Sequence, residues 1–190
     1  MQALKDRILS EGRNLGNSIL KVDGFINHQV DPALMDACGQ EFARLFAETK
    51  PDRILTAEIS GIAPALMTGL YMQVPVVYAR KSKPVTMTAE VYLTTAPSHT
   101  KGHMVELIVS PEYLRYGERI LIIDDFLASG ATIEGLVRLT HAAGAVLVGI
   151  GTLIEKPEEG GREALDHLNI PVHALAAVDL TDDGRILFVD

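Results

Sequence analysis

The sequence predicts an α/β fold: a parallel-sheet core flanked by helices, with a small hood outside the sheet. Three observations predict it. From Arg53 onward the apolar runs RILTAE, VPVVYA, MVELIVS, ERILIIDD and AVLVGIGTLIEK are near-continuous, the pattern of strands covered on both faces. Amphipathic stretches, APALMTGLYM and TIEGLVRLTHAAG, stand between successive runs and supply crossover helices. A chain of 190 residues with 47% hydrophobic content fills one core, so residues 1–190 read as a single domain.

In chain order, residues 2–16 carry Leu4, Ile8, Leu9 and Leu15 at approximate helical spacing, and SILKVDGFINHQV then breaks into short β-like pieces around Gly24. Together they form the N-terminal part of the hood, to about residue 30. Asp31-Pro32 opens a helix with an N-cap acid and proline at the first position, and Leu34, Cys38, Phe42, Leu45 and Phe46 give it one buried stripe. A strand, RILTAE, a turn at ISG and a helix follow. Residues 81–103 are polar and threonine-rich, with Pro84, Pro97 and Gly102, and read as a hairpin or long flexible loop. Gly144 stops the helix after ERILIIDD. A short charged helix lies near 160–168, and PVHALAAVDL and RILFVD close the fold as strands.

Composition narrows the function. The 17 Lys and Arg against 25 Asp and Glu leave a net charge of −8 and no basic tract for nucleic-acid phosphates, so an anionic ligand has to be held locally. Cys38, the one cysteine, falls on the apolar stripe and reads as a small core side chain. The six histidines show no metal-ligand spacing, and no protein metal site is expected. The acids Glu158, Glu159, Glu163 and Asp166 read as a solvated helix face. Without a signal-like N-terminus or an apolar run of roughly 18 residues, the expected compartment is the cytoplasm.

The candidate site is ILIIDDFLASGATIEG, residues 120–135. Asp124 and Asp125 end an apolar strand, where ligands of parallel sheets bind. Two adjacent carboxylates need a cation, hydroxyl donors or water around them. The turn that follows, Ala128, Ser129, Gly130, Ala131 and Thr132, runs straight into a helix whose N–H groups and hydroxyls suit a phosphate. An ordinary N-cap by Ser129 or Thr132, with one acid merely solvated, stays open at this point. A sugar phosphate satisfies both halves. No G-x-x-x-x-G-K-[ST] occurs, Gly149 and Gly151 lack a third glycine, and the 66 residues after Asp124 are too few for a receiver domain.

ILIIDDFLASGAT resembles the 5-phosphoribosyl-1-pyrophosphate (PRPP) motif of the type I phosphoribosyltransferases. The resemblance implies that Asp124 and Asp125 contact the ribose and are catalytic, that residues 128–132 bind the 5-phosphate, and that Mg²⁺ enters with the pyrophosphate. TAEISGIAPA resembles the pyrophosphate loop of that family, which implies Ser60 and Gly61 as PRPP contacts. The stretch from Lys81 resembles its closing loop, with Lys81 touching PRPP. GNSILKVDGFINHQVDPALM and IEK at 154–156 are similar to the bacterial xanthine-using branch, implying a hood from about 1–30 and 155–190, xanthine as base, and Leu20, Asn27 and Lys156 as its contacts. A homodimer is also implied.

Departures from the family pattern narrow the roles. Where adenine-type relatives carry arginine this chain has Ser60, so charge for pyrophosphate falls to backbone N–H groups, Mg²⁺, Arg80, Lys81 or Lys83. Ala128 stands where hypoxanthine-guanine relatives carry aspartate, so no general base is assigned. Phe126 either stacks on the purine or belongs to the core. Rival readings are another purine, guanine, hypoxanthine or adenine, or a PRPP-sensing regulator without catalysis; the acidic chain lacks the nucleic-acid surface the regulator needs.

Overall fold

A computed structural model describes residues 1–87, 89–97 and 104–189. The elements in order are α1 (Gln2–Glu11), β1 (Arg13–Asn14), β2 (Leu20–Lys21), α2 (Pro32–Leu45), β3 (Arg53–Ala57), α3 (Ile62–Met72), β4 (Val76–Ala79), β5 (Tyr92–Pro97) and β6 (Met104–Val109). They continue with β7 (Arg119–Leu127), α4 (Ala131–Ala142), β8 (Val146–Glu155), α5 (Gly161–Leu165), β9 (Val172–Leu180) and β10 (Ile186–Val189).

Six strands form the main sheet in the order β10-β9-β8-β7-β3-β4. All neighbours run parallel except β10, which returns antiparallel to β9. The expected α/β core is therefore present as a mixed sheet with a parallel centre. From β3 the chain crosses outward to β4 and then returns to place β7 on the other side of β3. That reversal opens a crevice beyond the carboxyl ends of β3 and β7.

Two apolar layers cover the sheet. On one face α1, α2 and α3 contribute Leu4, Ile8, Met35, Phe42, Phe46 and Ala65, against Ile54, Leu121 and Ile123. On the other, α4 and the β5–β6 hairpin bring Ile133, Leu136, Ala96 and Leu107 against Leu55, Ile120 and Ile122. Gly149 and Gly151 are bare because α2 lies on them: a Cβ would meet the Phe46 ring at 2.7 Å and the Phe42 ring at 2.8 Å. That packing accounts for the glycine pair of β8.

The predicted cap of α2 is formed. The Asp31 carboxylate accepts from the N–H groups of Ala33 and Leu34 at 2.9 and 3.1 Å, an arrangement worth about 1 kcal/mol. Arg7 pairs with the same carboxylate at 2.7 Å and ties α1 to α2. Cys38 is fully buried, and burial pushes its thiol up to about 12.

Four readings change. The first helix stops at Glu11, because Gly12 is extended and the chain turns into the β1–β2 ribbon; Leu9 and Leu15 are more than half exposed. Of the β-like pieces expected around Gly24, the one before it is β2, but from Asp23 to Asn27 the chain forms a π-helical turn with Phe25 and Ile26 buried beneath it. At the C-terminus, β9 and β10 are continuous with the main sheet. Only one strand of the hairpin expected within 81–103 lies there: β5 pairs antiparallel with β6, from Tyr92↔Val109 to Pro97↔Met104, so the MVELIVS run joins this ribbon and not the parallel sheet; Thr88 and residues 98–103 lie outside the described residues. Among the described residues no helix is long and apolar enough to cross a membrane.

Candidate active site beyond the ends of β3 and β7

Strand β7 is buried from Ile120 to Asp124 and delivers its acids to the crevice. Asp124 is only 5% exposed, while Asp125 is half-buried. The Asp125 N–H donates to Asp124 Oδ1 at 3.0 Å, and the Phe126 N–H donates to Asp125 Oδ1 at 3.0 Å. Burial first, and the neighbouring Asp125 charge second, push the Asp124 carboxyl well above the usual carboxylate range.

Around Asp124 the structure places oxygens that have no partner among the described residues. Thr152 stands opposite it in β8, and Thr56 lies at the end of β3. Both threonines are fully buried, and neither hydroxyl has a hydrogen-bond partner among the described residues. Buried polar atoms are almost always paired, so unpaired hydroxyls beside a carboxylate mark where a polar ligand or water belongs.

The segment after β3 closes the other wall. Ser60 is half-buried and Gly61 is buried at the start of α3; the Glu58–Ile59 peptide before them is cis. Glu58 Oε2 accepts from the Lys81 N–H at 2.8 Å, and Glu58 Oε1 lies 3.5 Å from Arg80 Nε. Of the cations expected to face pyrophosphate, Arg80 is thus paired with Glu58, and Lys83 donates to the Ala89 carbonyl at 2.8 Å. Lys81 keeps its side chain exposed.

The turn at 128–132 has the geometry of an anion cup. Gly130 adopts φ +80° at the N-cap of α4, and no side-chain hydrogen bond caps the helix. The capping role left open for Ser129 and Thr132 is therefore not taken. The N–H groups of the first turn have no acceptor of their own within the helix. Ser129 is exposed and Ala131 and Thr132 are half-buried, so the cup faces outward.

Two of the residues expected to hold a base, Asn27 and Lys156, lie beside the end of β7. Asn27 Nδ2 makes a long contact, 3.5 Å, to Asp125 Oδ2. Lys156 is 5% exposed, donates from Nζ to the Ser18 carbonyl at 3.0 Å, and lies 6.0 Å from the centre of the half-buried Phe126 ring. Leu20 is buried in the core layer against which Phe126 packs.

One acid departs from expectation. Glu159 is half-buried and ion-paired with Lys156, whereas Glu158, which accepts from Ser18 Oγ at 2.8 Å, remains exposed together with Glu163 and Asp166. The spacing Lys156 to Glu159, three residues apart around Pro157, was the available signal. Thr56 and Thr152 gave none, because a threonine in a strand is ordinary.

The strand-order reversal, with an acid pair and a helix N-terminus beyond it, is the layout of an α/β protein that takes a ligand at the carboxyl edge of its sheet. The chain belongs to the phosphoribosyltransferase family: a match to the phosphoribosyl transferase domain spans residues 29–179. It is 48% identical over 190 residues to the xanthine phosphoribosyltransferase of Deinococcus deserti, covering all of this chain and 98% of that one. With the xanthine phosphoribosyltransferase of Latilactobacillus sakei it shares 46% identity over 190 residues, covering all of this chain and 97% of the relative. The adenine phosphoribosyltransferase of Rhodothermus marinus superimposes with a TM-score of 0.74 at 22% identity, over 93% of this chain and 98% of that one, a likeness of fold.

Proposed function

We propose that the protein is an enzyme of purine salvage that transfers the phosphoribosyl group of PRPP to xanthine, giving xanthosine 5′-monophosphate and pyrophosphate. One observation carries the reading: a single strand-turn-helix places the buried Asp124, its neighbour Asp125 and an uncapped helix N-terminus in sequence, matching a ribose next to its 5-phosphate. The full-length likeness to xanthine phosphoribosyltransferases supports the choice of base.

Asp124 and Asp125 are assigned to the ribose hydroxyls, residues 128–132 to the 5-phosphate, and Ser60, Gly61 and Lys81 to the pyrophosphate. A xanthine ring nitrogen bonds to the ribose C1 carbon as the bond from C1 to pyrophosphate oxygen breaks, the electron pair leaving with pyrophosphate and the nitrogen proton passing to water. Charge develops on the ribose ring, so the residues act by positioning and by stabilising charge. Among the described residues no three His, Cys, Asp or Glu side chains gather as a metal cluster. The acid pair beside unpaired hydroxyls nevertheless fits Mg²⁺, which keeps waters and takes one or two carboxylates plus substrate phosphates. When bound it would neutralise the leaving pyrophosphate.

Xanthine carries carbonyl oxygens at C2 and C6 and readily becomes an anion, which suits the Lys156 cation and the Asn27 amide. Phe126 offers a ring face next to them. The exposed Leu66 and Leu70 of α3 give apolar surface for the homodimer this reading includes, and the cytoplasm is its compartment. Incubation with PRPP, Mg²⁺ and each base in turn, followed by pyrophosphate release, tests the proposal. Xanthine is expected to be preferred; preference for adenine refutes the base assignment, and no release with any base favours a PRPP sensor.

A further inference from the structure

Behind the phosphate turn two glycine backbones cross. Gly161, the first residue of α5, lies so close that a Cβ on it would stand 2.2 Å from the Ala128 carbonyl oxygen and 2.8 Å from the Gly130 nitrogen. These are backbone atoms and cannot swing aside as a side-chain tip would. The contact is reciprocal, since a Cβ on Gly130 would meet the Gly161 carbonyl oxygen at 3.2 Å.

The segment that carries Gly161 is itself held. The Lys156 N–H donates to the Leu127 carbonyl at 2.8 Å, just before the turn. The Arg162 guanidinium grips the buried Glu155 through Nε at 2.7 Å and a second N–H, and its Nη1 reaches the Val172 carbonyl at 3.0 Å. A two-point guanidinium–carboxylate contact fixes direction as well as distance. Residues 155–162 therefore join the ends of β8 and β9 to the back of the turn.

We infer that Gly161 is a positioning residue for the phosphate turn, and that the Glu155–Arg162 pair holds it there. The inference rests on the PRPP reading of residues 128–132. The added methyl of Gly161→Ala has to push Ala128 and Gly130 outward, which turns the cup's N–H groups away from a bound phosphate. Glu155→Gln keeps the side-chain shape and weakens the grip on Arg162 without adding volume.

Steady-state assays of the full chain with PRPP, Mg²⁺ and xanthine, together with inhibition by ribose 5-phosphate, test it. Expected for Gly161→Ala is a rise of about tenfold in KM for PRPP and a matching loss of ribose 5-phosphate inhibition, with KM for xanthine within about twofold. Glu155→Gln is expected to shift the same two values by about threefold, and it decides the matter alone if the alanine variant does not fold. Unchanged PRPP values in variants that fold, or equal losses for both substrates, overturn the inference. Wild-type protein that transfers to no base would instead remove the PRPP reading itself.

Discussion

Gly61 is bare because Asp124 stands against it: a Cβ there would lie 2.4 Å from Asp124 Oδ1 and 2.2 Å from Thr56 Oγ1. Its φ of −68° makes no demand for glycine, so space is the reason. The segment after β3 and the acid at the end of β7 are thus in direct contact. Gly61→Ala is predicted to displace the Asp124 carboxylate and lower kcat/KM about 100-fold, the effect of a misplacement near 1 Å, and to lower the thermal midpoint by roughly 2–10 °C through overpacking. Wild-type kinetics in a folded variant would show that the contact has no bearing on catalysis.

Asp124 also ties activity to stability through pH. Because burial and Asp125 raise its pKa in the folded chain, the native protein holds a proton that the unfolded chain has released at any pH between the ordinary carboxylate range and that raised value. Stability is complete below the ordinary carboxylate range, falls as pH climbs toward the raised value, and stays low above it. Asp124→Asn removes the buried charge and keeps an oxygen to accept the Asp125 N–H. It is predicted to raise the melting midpoint at pH 7 by roughly 3 °C or more, with the gain vanishing near pH 4. Melting curves across that range check both the sign and the window.

Lys156 is held by Ser18 and Glu159, so its charge is aimed rather than free. Lys156→Gln is predicted to lower kcat/KM for xanthine roughly 10- to 100-fold, the worth of one charge-assisted hydrogen bond, while KM for PRPP changes less than about threefold. Equal losses for both substrates would place Lys156 outside base recognition.

What the sequence disclosed was local. The strand, acids, turn and helix from Arg119 to Ala142 follow from one apolar run, one small-residue turn and one 3.6-residue stripe, all adjacent in the chain. Asp31-Pro32 was legible for the same reason. What stayed hidden depends on distant partners. Glu159 is half-buried against Lys156, which reaches back along the chain to the Ser18 carbonyl, and Gly61 has meaning only once β3 lies beside β7. The turn at Asp23–Asn27 escaped because its two apolar residues, Phe25 and Ile26, are adjacent and both are buried through a π-helical turn, a conformation with no period of its own in so short a stretch.

In the proposed reaction the acids at the end of β7 hold the ribose of PRPP during transfer. Pyrophosphate release from PRPP, Mg²⁺ and xanthine, compared between wild type and the variant carrying Asp124→Asn with Asp125→Asn, tests that role. Turnover is expected in the wild type and none in the double variant, with the fold intact by circular dichroism. Near-normal pyrophosphate release from the double variant would contradict it.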